Sequence, residues 1–403
     1  MSLPVPALGL LLVAACGGGE AGPGSEAVAV RDSAGIRIVE NRAPAWGEGE
    51  GWTVADTPSL RLGEVQGEGP EVFGAIGTAL RLSDGRIAVL DQDASEIRIF
   101  GPDGSHGATA GGHGEGPGEL GRIPGLVDLP GDTLGVWGMM SQRLSRFGRD
   151  GSFLDAVTAS DLPGMVGFEL RGALGDGRVL VSEGRSFSPE EMERGSGIHR
   201  DTLAELLVER DGSVADTLGR FASGQSAGSP QDVKMVFFAR STHFAVGDSR
   251  IFAGDSERWE VRVWDDSLRE TMRMRRAHEP VEVPPEAVEA ERRERLAQTE
   301  EMPDQFRGMF RQQVENAVAN ETLPAFVELL VDGTGHLWVR RARLPTEEGP
   351  PRWDVFRPDG RWLGTVATPE GLSVRQVGQD FVLGTRTDEL GVQRVELYRL
   401  RRS

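Results

Sequence analysis

The chain has 403 residues, 38% hydrophobic and 27% charged, an ordinary soluble composition but too long for one ordinary core. Its formal net charge of −19, with Lys234 the only lysine, argues against a phosphate-backbone partner, so no nucleic acid is expected. The 55 glycines, about twice the usual share of roughly 7%, follow no Gly-X-Y period; this excludes collagen and points to many turns between short strands.

Leu8 to Ala15 (LGLLLVAA) comes first. It falls well short of the roughly 20 apolar residues a membrane span requires, but suits the core of an export signal. Val13-Ala14-Ala15-Cys16 resembles the lipobox of bacterial lipoproteins, although residues 1–7 carry no Lys or Arg. In that family the cysteine takes a diacylglycerol and becomes the new N-terminus. The resemblance implies a signal peptide over 1–15, lipid attachment at Cys16, and an exported protein anchored in the bacterial cell envelope, periplasm-facing or at the surface. Two acyl chains suffice for stable attachment. Residues 16–35 read as a flexible tether. Cys16 is the only cysteine, so the mature protein has no disulfide of its own to form.

A repeated unit fills most of the remainder. Leu82–Ser105 (LSDGRIAVLDQDASEIRIFGPDGS) and Leu129–Phe153 (LPGDTLGVWGMMSQRLSRFGRDGSF) are its clearest copies. Gly85 aligns with Asp132 and Gly67 with Gly114, both at an offset of 47 residues. Four strands are predicted in the second unit: Arg122–Leu129, Thr133–Gly138, Gln142–Gly148 and Ser152–Thr158. Two-residue turns and Asp-Gly turns would join them as antiparallel hairpins. Weaker copies begin at Gly177, Arg250, Gly335 and Asp380, which makes six. The last lacks a fourth strand, and Ser59–Gly63 is predicted to supply it, so that no open edge remains.

The expected fold is therefore all-β: a six-bladed β-propeller of four-stranded antiparallel blades over residues 36–403, closed by an N-terminal strand. A pair of β-sandwiches is the alternative, but it leaves the 47-residue register unexplained. The DGRIAVLD, GEGPGEL, PDG and GHLWV elements resemble the six-bladed bacterial β-propellers related to NHL repeats, many of them lipoproteins, across roughly residues 52–400. That family is functionally heterogeneous and implies no catalytic residue.

Long extra segments fall at Ser182–Leu203, Phe221–Ala245, Arg275–Ala325 and Arg341–Arg352. Each is a strand 2–3 loop or a crossing between blades, and those two positions share one face. The insert at 276–325 reads as helical near 285–320. Pro285 suits a first helical position, Glu289/Arg293 and Glu291/Arg295 are i,i+4 pairs, and a second helix is expected near Pro303. Its stripe of Phe306, Met309, Phe310, Val314 and Ala317 would pack on the propeller or serve as a docking surface.

No catalytic constellation stands out. The six histidines show no metal spacing, and Gly-x-Ser-x-Gly is absent from any strand–helix context. The Gly-rich run between His106 and His113 lacks the Gly-Lys-Ser/Thr ending of a phosphate loop and reads as a sharp crossing. Asp91, Asp93 and Glu96 could hold Ca²⁺ through carboxylate oxygens; otherwise no cofactor is expected. Trp137, Trp264, Trp338, Trp353 and Trp362 read as wedges between blades. The preferred function is a non-catalytic binding or protein-interaction module for an envelope protein or extracellular ligand. Arg122, Arg240 and His243 are the rim candidates on the insertion-bearing face. The alternative is a propeller hydrolase or lyase with a metal or acid site at the central channel.

Overall fold

Alternation of apolar and polar residues in short runs, punctuated by glycine, becomes a β-propeller of four-stranded antiparallel sheets. The computed structural model describes residues 27–402 except 65, 66, 68, 115, 122, 123, 163–166, 185–196, 230, 231, 301, 303 and 389. Sheet I holds Ile76–Arg81, Ile87–Asp91, Glu96–Phe100 and His106–Gly111. Sheet II holds Pro124–Leu129, Thr133–Gly138, Arg143–Gly148 and Phe153–Thr158, each within two residues of its predicted bounds. Sheet III is Phe168–Ala173, Val179–Glu183, Thr202–Val208 and Val214–Ala222. Sheet IV contains Thr242–Gly247, Arg250–Asp255, Glu260–Asp265 and Glu270–Arg276. Sheet V is Glu328–Val331, Leu337–Arg340, Arg352–Phe356 and Trp362–Ala367. Sheet VI has Ser373–Val377, Phe381–Thr387 and Gln393–Arg401 from its own stretch of chain.

The missing strand of sheet VI comes from the N-terminal side. Leu60–Leu62 pairs antiparallel with Gln393–Arg401, Leu62 opposite Val395, and Thr53–Val54 continues the same edge opposite Arg401 and Leu400. Side chains then join sheet VI to sheet I by imitating backbone pairing. Gln376 Oε1 accepts from Arg81 N (2.7 Å) while its Nε2 donates to Arg81 O (3.2 Å), and Gln393 Oε1 accepts from Ile76 N (2.5 Å).

The Asp-Gly turns differ from bare two-residue turns. Gly104, Gly151, Gly212 and Gly360 sit at φ of 86, 82, 88 and 87°, and the ladder slips by one residue just before each turn. This is a type I turn closed by a glycine bulge, and the bulge adds right-handed twist to the outer strand pair. The aspartate braces the turn: Asp103, Asp150 and Asp211 each accept from the amide and hydroxyl of the serine two residues on.

The core lies between sheets, because each strand presents alternate side chains to either neighbour. Leu90, Ile97, Leu134 and Phe147 fill the I–II interface, and Trp137, Leu144, Phe168 and Val181 the II–III interface. Leu180, Leu207, Ile251 and Trp264 follow between III and IV, then Phe252, Val261, Phe326 and Phe356 between IV and V. Trp338, Trp353, Val382 and Tyr398 join V to VI, and Leu62, Ile87, Val89 and Leu383 join VI to I. All five predicted wedge tryptophans are buried. Trp137 also donates from Nε1 to the Phe168 carbonyl across the sheet boundary (2.6 Å).

The tether reading over 16–35 is corrected where the structure is described. Val28–Ser33 is a strand, paired with Ile36–Asn41, and the latter lies parallel to Glu270–Arg276 and extends sheet IV. The physical reason is the apolar Ile36, Ile38 and Val39 beside an unpaired edge; Val39 is fully buried. Asn41, 1% exposed, ties this segment to sheet V: it donates to Gly360 O (3.0 Å) and accepts from Trp362 N (2.9 Å).

Candidate functional site

Antiparallel alternation brings the strand 2–3 loops and the crossings to one end of the propeller, and there the long segments pair with each other. Ile198–His199, from the 2–3 loop of sheet III, pairs with Ser226–Ser229, which hairpins with Asp232–Lys234. Val236–Phe237 lies parallel to Val318–Ala319 from the IV–V crossing. Two helices complete this cap: α1 over Pro285–Glu300 and α2 over Asp304–Glu315. Pro285 is the first residue of α1, and Arg295 meets Glu291 at 2.8 Å as expected. Arg292, not Arg293, reaches Glu289 (3.5 Å). Arg292 also donates to the Val314 and Glu315 carbonyls at the end of α2, and lies over the Phe237 ring. The apolar stripe divides: Val314 is buried, while Phe306 and Met309 are 46% and 51% exposed.

At this end the mouth of the central channel, ringed by the first strands of the sheets, opens into a pocket of about 450 Å³. Its polar lining comes chiefly from first-strand residues Glu169, Arg171, His243 and Glu328, with Glu205 from the third strand of sheet III. Arg171 pairs with Glu169 (3.0 Å) and Arg340 with Glu328 (2.7 Å). Glu205 is 2% exposed; Oε1 accepts from Ser182 Oγ (2.7 Å), while Oε2 has no hydrogen-bond partner among the described residues and lies 3.7 Å from Arg171 Nε. Burial pushes the Glu205 carboxyl up to about 7, with Arg171 and Ser182 offsetting only part of that penalty. Burial likewise raises Glu328 against its Arg340 partner. His243 is pushed down to about 4 by burial and then by Arg340 and Arg171, so its imidazole is neutral at physiological pH. An adjoining pocket of about 350 Å³ shares Glu169 and Arg171 and adds Thr78, Gln92 and Arg375. Arg375 donates from Nε to Thr385 Oγ1 (3.2 Å); among the described residues its terminal nitrogens have no partner.

Of the sequence-derived candidates, His243 stands in this mouth. Arg240 is 8% exposed and committed to the scaffold: its backbone N–H meets Gln225, its guanidinium Thr322 (2.5 Å) and the Phe238 carbonyl. It is corrected from rim candidate to a strut between the two crossings. Arg122 and Cys16 lie outside the described residues, as does the signal segment 1–15. Asp91, offered as a calcium ligand, is 1% exposed and filled by donors: the amides of Gly74, Ala75 and Ala94, and Arg98 at 3.1 Å. Glu96 is paired with Arg98, and among the described residues no group of three or more His, Cys, Asp or Glu could hold a metal ion. The Gly-rich run does serve as a braced crossing: Glu119 accepts from Gly116 N (2.7 Å), and Arg143 donates to carbonyls of both residues. Sequence reasoning missed Glu169, Arg171, Glu205, Glu328 and Arg375. Their signal was a charge set inside an apolar run, clearest for Glu205 in TLAELLV.

The chain matches no protein-family profile and no curated protein. Among solved structures it is similar to a Bacteroides fragilis protein described as exported, at 11% identity and TM-score 0.46, covering 91% of this chain and 99% of that one. It is also similar to a DUF4221-family protein of Bacteroides vulgatus, at 10% identity and TM-score 0.49, with 88% and 99% covered. BamB of Moraxella catarrhalis follows at 11% identity and TM-score 0.34, with 89% and 96% covered. Likenesses this distant say nothing of activity. No described helix is long and apolar enough to cross a membrane.

Proposed function

We propose that the chain is an exported, lipid-anchored six-bladed β-propeller, closed by its N-terminal strand, that binds an envelope protein or extracellular ligand without transforming it. Residues 1–15 act as the signal and Cys16 carries the anchor. The observation that carries the reading is coincidence of place: the interlocked insertions and the charged channel mouth occupy one end of the propeller. Rigid strands fix the mouth residues, and loops that tolerate variation form the surround, which is where binding sites are usually built. The test replaces Pro285–Glu315 with a short Gly-Ser linker in the full chain. Binding of an envelope partner is expected to be lost while the melting transition stays cooperative. Unchanged retention of that partner would overturn the role of the insert.

One observation favours a second reading, a hydrolase or lyase acting at the channel. Glu205, with its carboxyl near 7 and an unpartnered oxygen, is suited to giving or taking a proton at neutral pH. In the metal-dependent form of this reading, melting temperature falls with EDTA and returns with one divalent ion. A transition unmoved by EDTA removes that form.

A further inference from the structure

A second recess on the same end of the propeller shares no lining residue with the channel mouth. It is a cleft of about 670 Å³ between the two ends of the IV–V crossing and the 2–3 loop of sheet V. Its floor has an uneven charge count. Asp354 is fully buried, and both its oxygens are occupied. Oδ1 accepts from Arg341 Nη2 (2.7 Å) and Thr365 Oγ1 (3.0 Å); Oδ2 accepts from Arg341 Nε (3.0 Å) and from Arg276 Nη1. One carboxylate thus answers two guanidiniums, and both arginines line the cleft. Arg276 is held in place by stacking on Trp362, 4.4 Å from the ring centroid.

Arg343 and Arg352 line the same cleft, and Arg352 has no side-chain partner among the described residues. Those two arginines and the acids Glu279, Glu347 and Glu348 are all exposed, so water and salt screen them more strongly than the half-buried floor, where the surplus charge lies. The local field reaches His278, whose imidazole is pushed down by burial and then by Arg276. The rest of the lining is largely apolar: Val281, Leu323, Pro324, Ala325, Ala342 and Pro350. A half-buried surplus cation beside such a wall matches a ligand with an anionic head and a hydrocarbon body.

We propose that this cleft binds a small organic acid, its carboxylate on Arg276 and Arg341 and its aliphatic part against the Val281–Leu323 wall. A planar guanidinium already fixed by one carboxylate and a tryptophan is pre-organised for a second carboxylate. The inference concerns a site apart from the channel mouth and stands or falls separately from the binding role argued above.

The test is calorimetric titration of the full chain with octanoate, and with octan-1-ol as the neutral match. Octanoate is expected to bind at one site, about tenfold or more tighter than octanol, because only the anion meets the surplus charge. Arg276→Gln should remove most of that preference. Because this variant disturbs the floor, Arg352→Gln, at an exposed side chain, and Ala342→Trp, which fills the cleft, serve beside it. The first, a screened rim charge, should weaken octanoate by no more than about twofold and the second abolish it, both with unchanged melting. Equal binding of octanoate and octanol, no octanoate binding at all, or full binding by folded Ala342→Trp would each overturn the assignment.

Discussion

Arg402 offers a direct test of how the propeller is held shut. Its guanidinium donates to Asp332 Oδ2 (2.8 Å), Thr334 Oγ1 (2.7 Å) and the Gly378 carbonyl (2.7 Å), and lies 4.1 Å from the Trp52 ring centroid. It therefore fastens the end of sheet VI to a turn of sheet V and to the N-terminal approach segment. Stranding a buried charge costs about 3–5 kcal/mol when nothing else satisfies it. Asp332 would keep donors after Arg402→Ala: the amides of Thr334 and His336, the Thr334 hydroxyl and the Trp338 indole. The expected loss is therefore smaller, about 2–3 kcal/mol, most of it from three lost charge-assisted bonds. Urea unfolding followed by tryptophan fluorescence should show a lower midpoint at an unchanged slope. The pH profile supplies a second readout. Burial alone would raise the Asp332 carboxyl, but bonds from His336 and Trp338 and the Arg402 charge hold it below its ordinary value of 3.8. Its contribution is then present above that value and lost as pH falls through and below it. Arg402→Ala should flatten this acid limb. An unfolding free energy within about 0.5 kcal/mol of wild type, with the acid limb intact, would refute the reasoning.

Further outcomes follow from the same geometry. Asn41→Ala strands the Trp362 amide and the Gly360 carbonyl, and should cost about 2 kcal/mol in urea melts. Glu205→Gln keeps an oxygen for Ser182. The folded carboxyl is raised, so its stability contribution is present at low pH and lost as pH rises through about 7; the variant should outlast wild type in melts above that value. His243 should titrate at about 4 by NMR, well below the ordinary 6.5, and Arg340→Gln should raise it. Phe306→Ser, at an exposed position, should leave melting within about 0.5 kcal/mol of wild type, while loss of partner binding would mark α2 as a contact surface.

Much of the scaffold was legible because it rests on local signals. The 47-residue register and the Asp-Gly-Ser turns set strand bounds in sheet II to within two residues, and Leu60–Leu62 was identifiable as the strand that sheet VI lacked. Bulges at those turns were not legible, since Asp-Gly suits both the two-residue and the bulged turn until the register is seen. Ile36–Asn41 fell within the predicted propeller, but its place there was not legible, because its partner, Glu270–Arg276, is more than two hundred residues away and the pairing is parallel, with no turn to announce it. Site residues were harder still. Arg240 and His243 lie three residues apart, yet one braces the crossings and the other faces the channel. Only the convergence of first strands from separate sheets reveals that Glu169 and Glu328 share a mouth and that Arg375 faces the pocket adjoining it.

The central claim, that the insertion-bearing end is the binding face, is tested most directly by photocrosslinking in the cells that produce the protein. A photoreactive residue is placed at Ser223 in the channel mouth, at Phe306 on the cap, or at Leu154, an exposed position near the opposite end. Adducts from Ser223 and Phe306, with none from Leu154, are the predicted result. Adducts from Leu154 alone would contradict it.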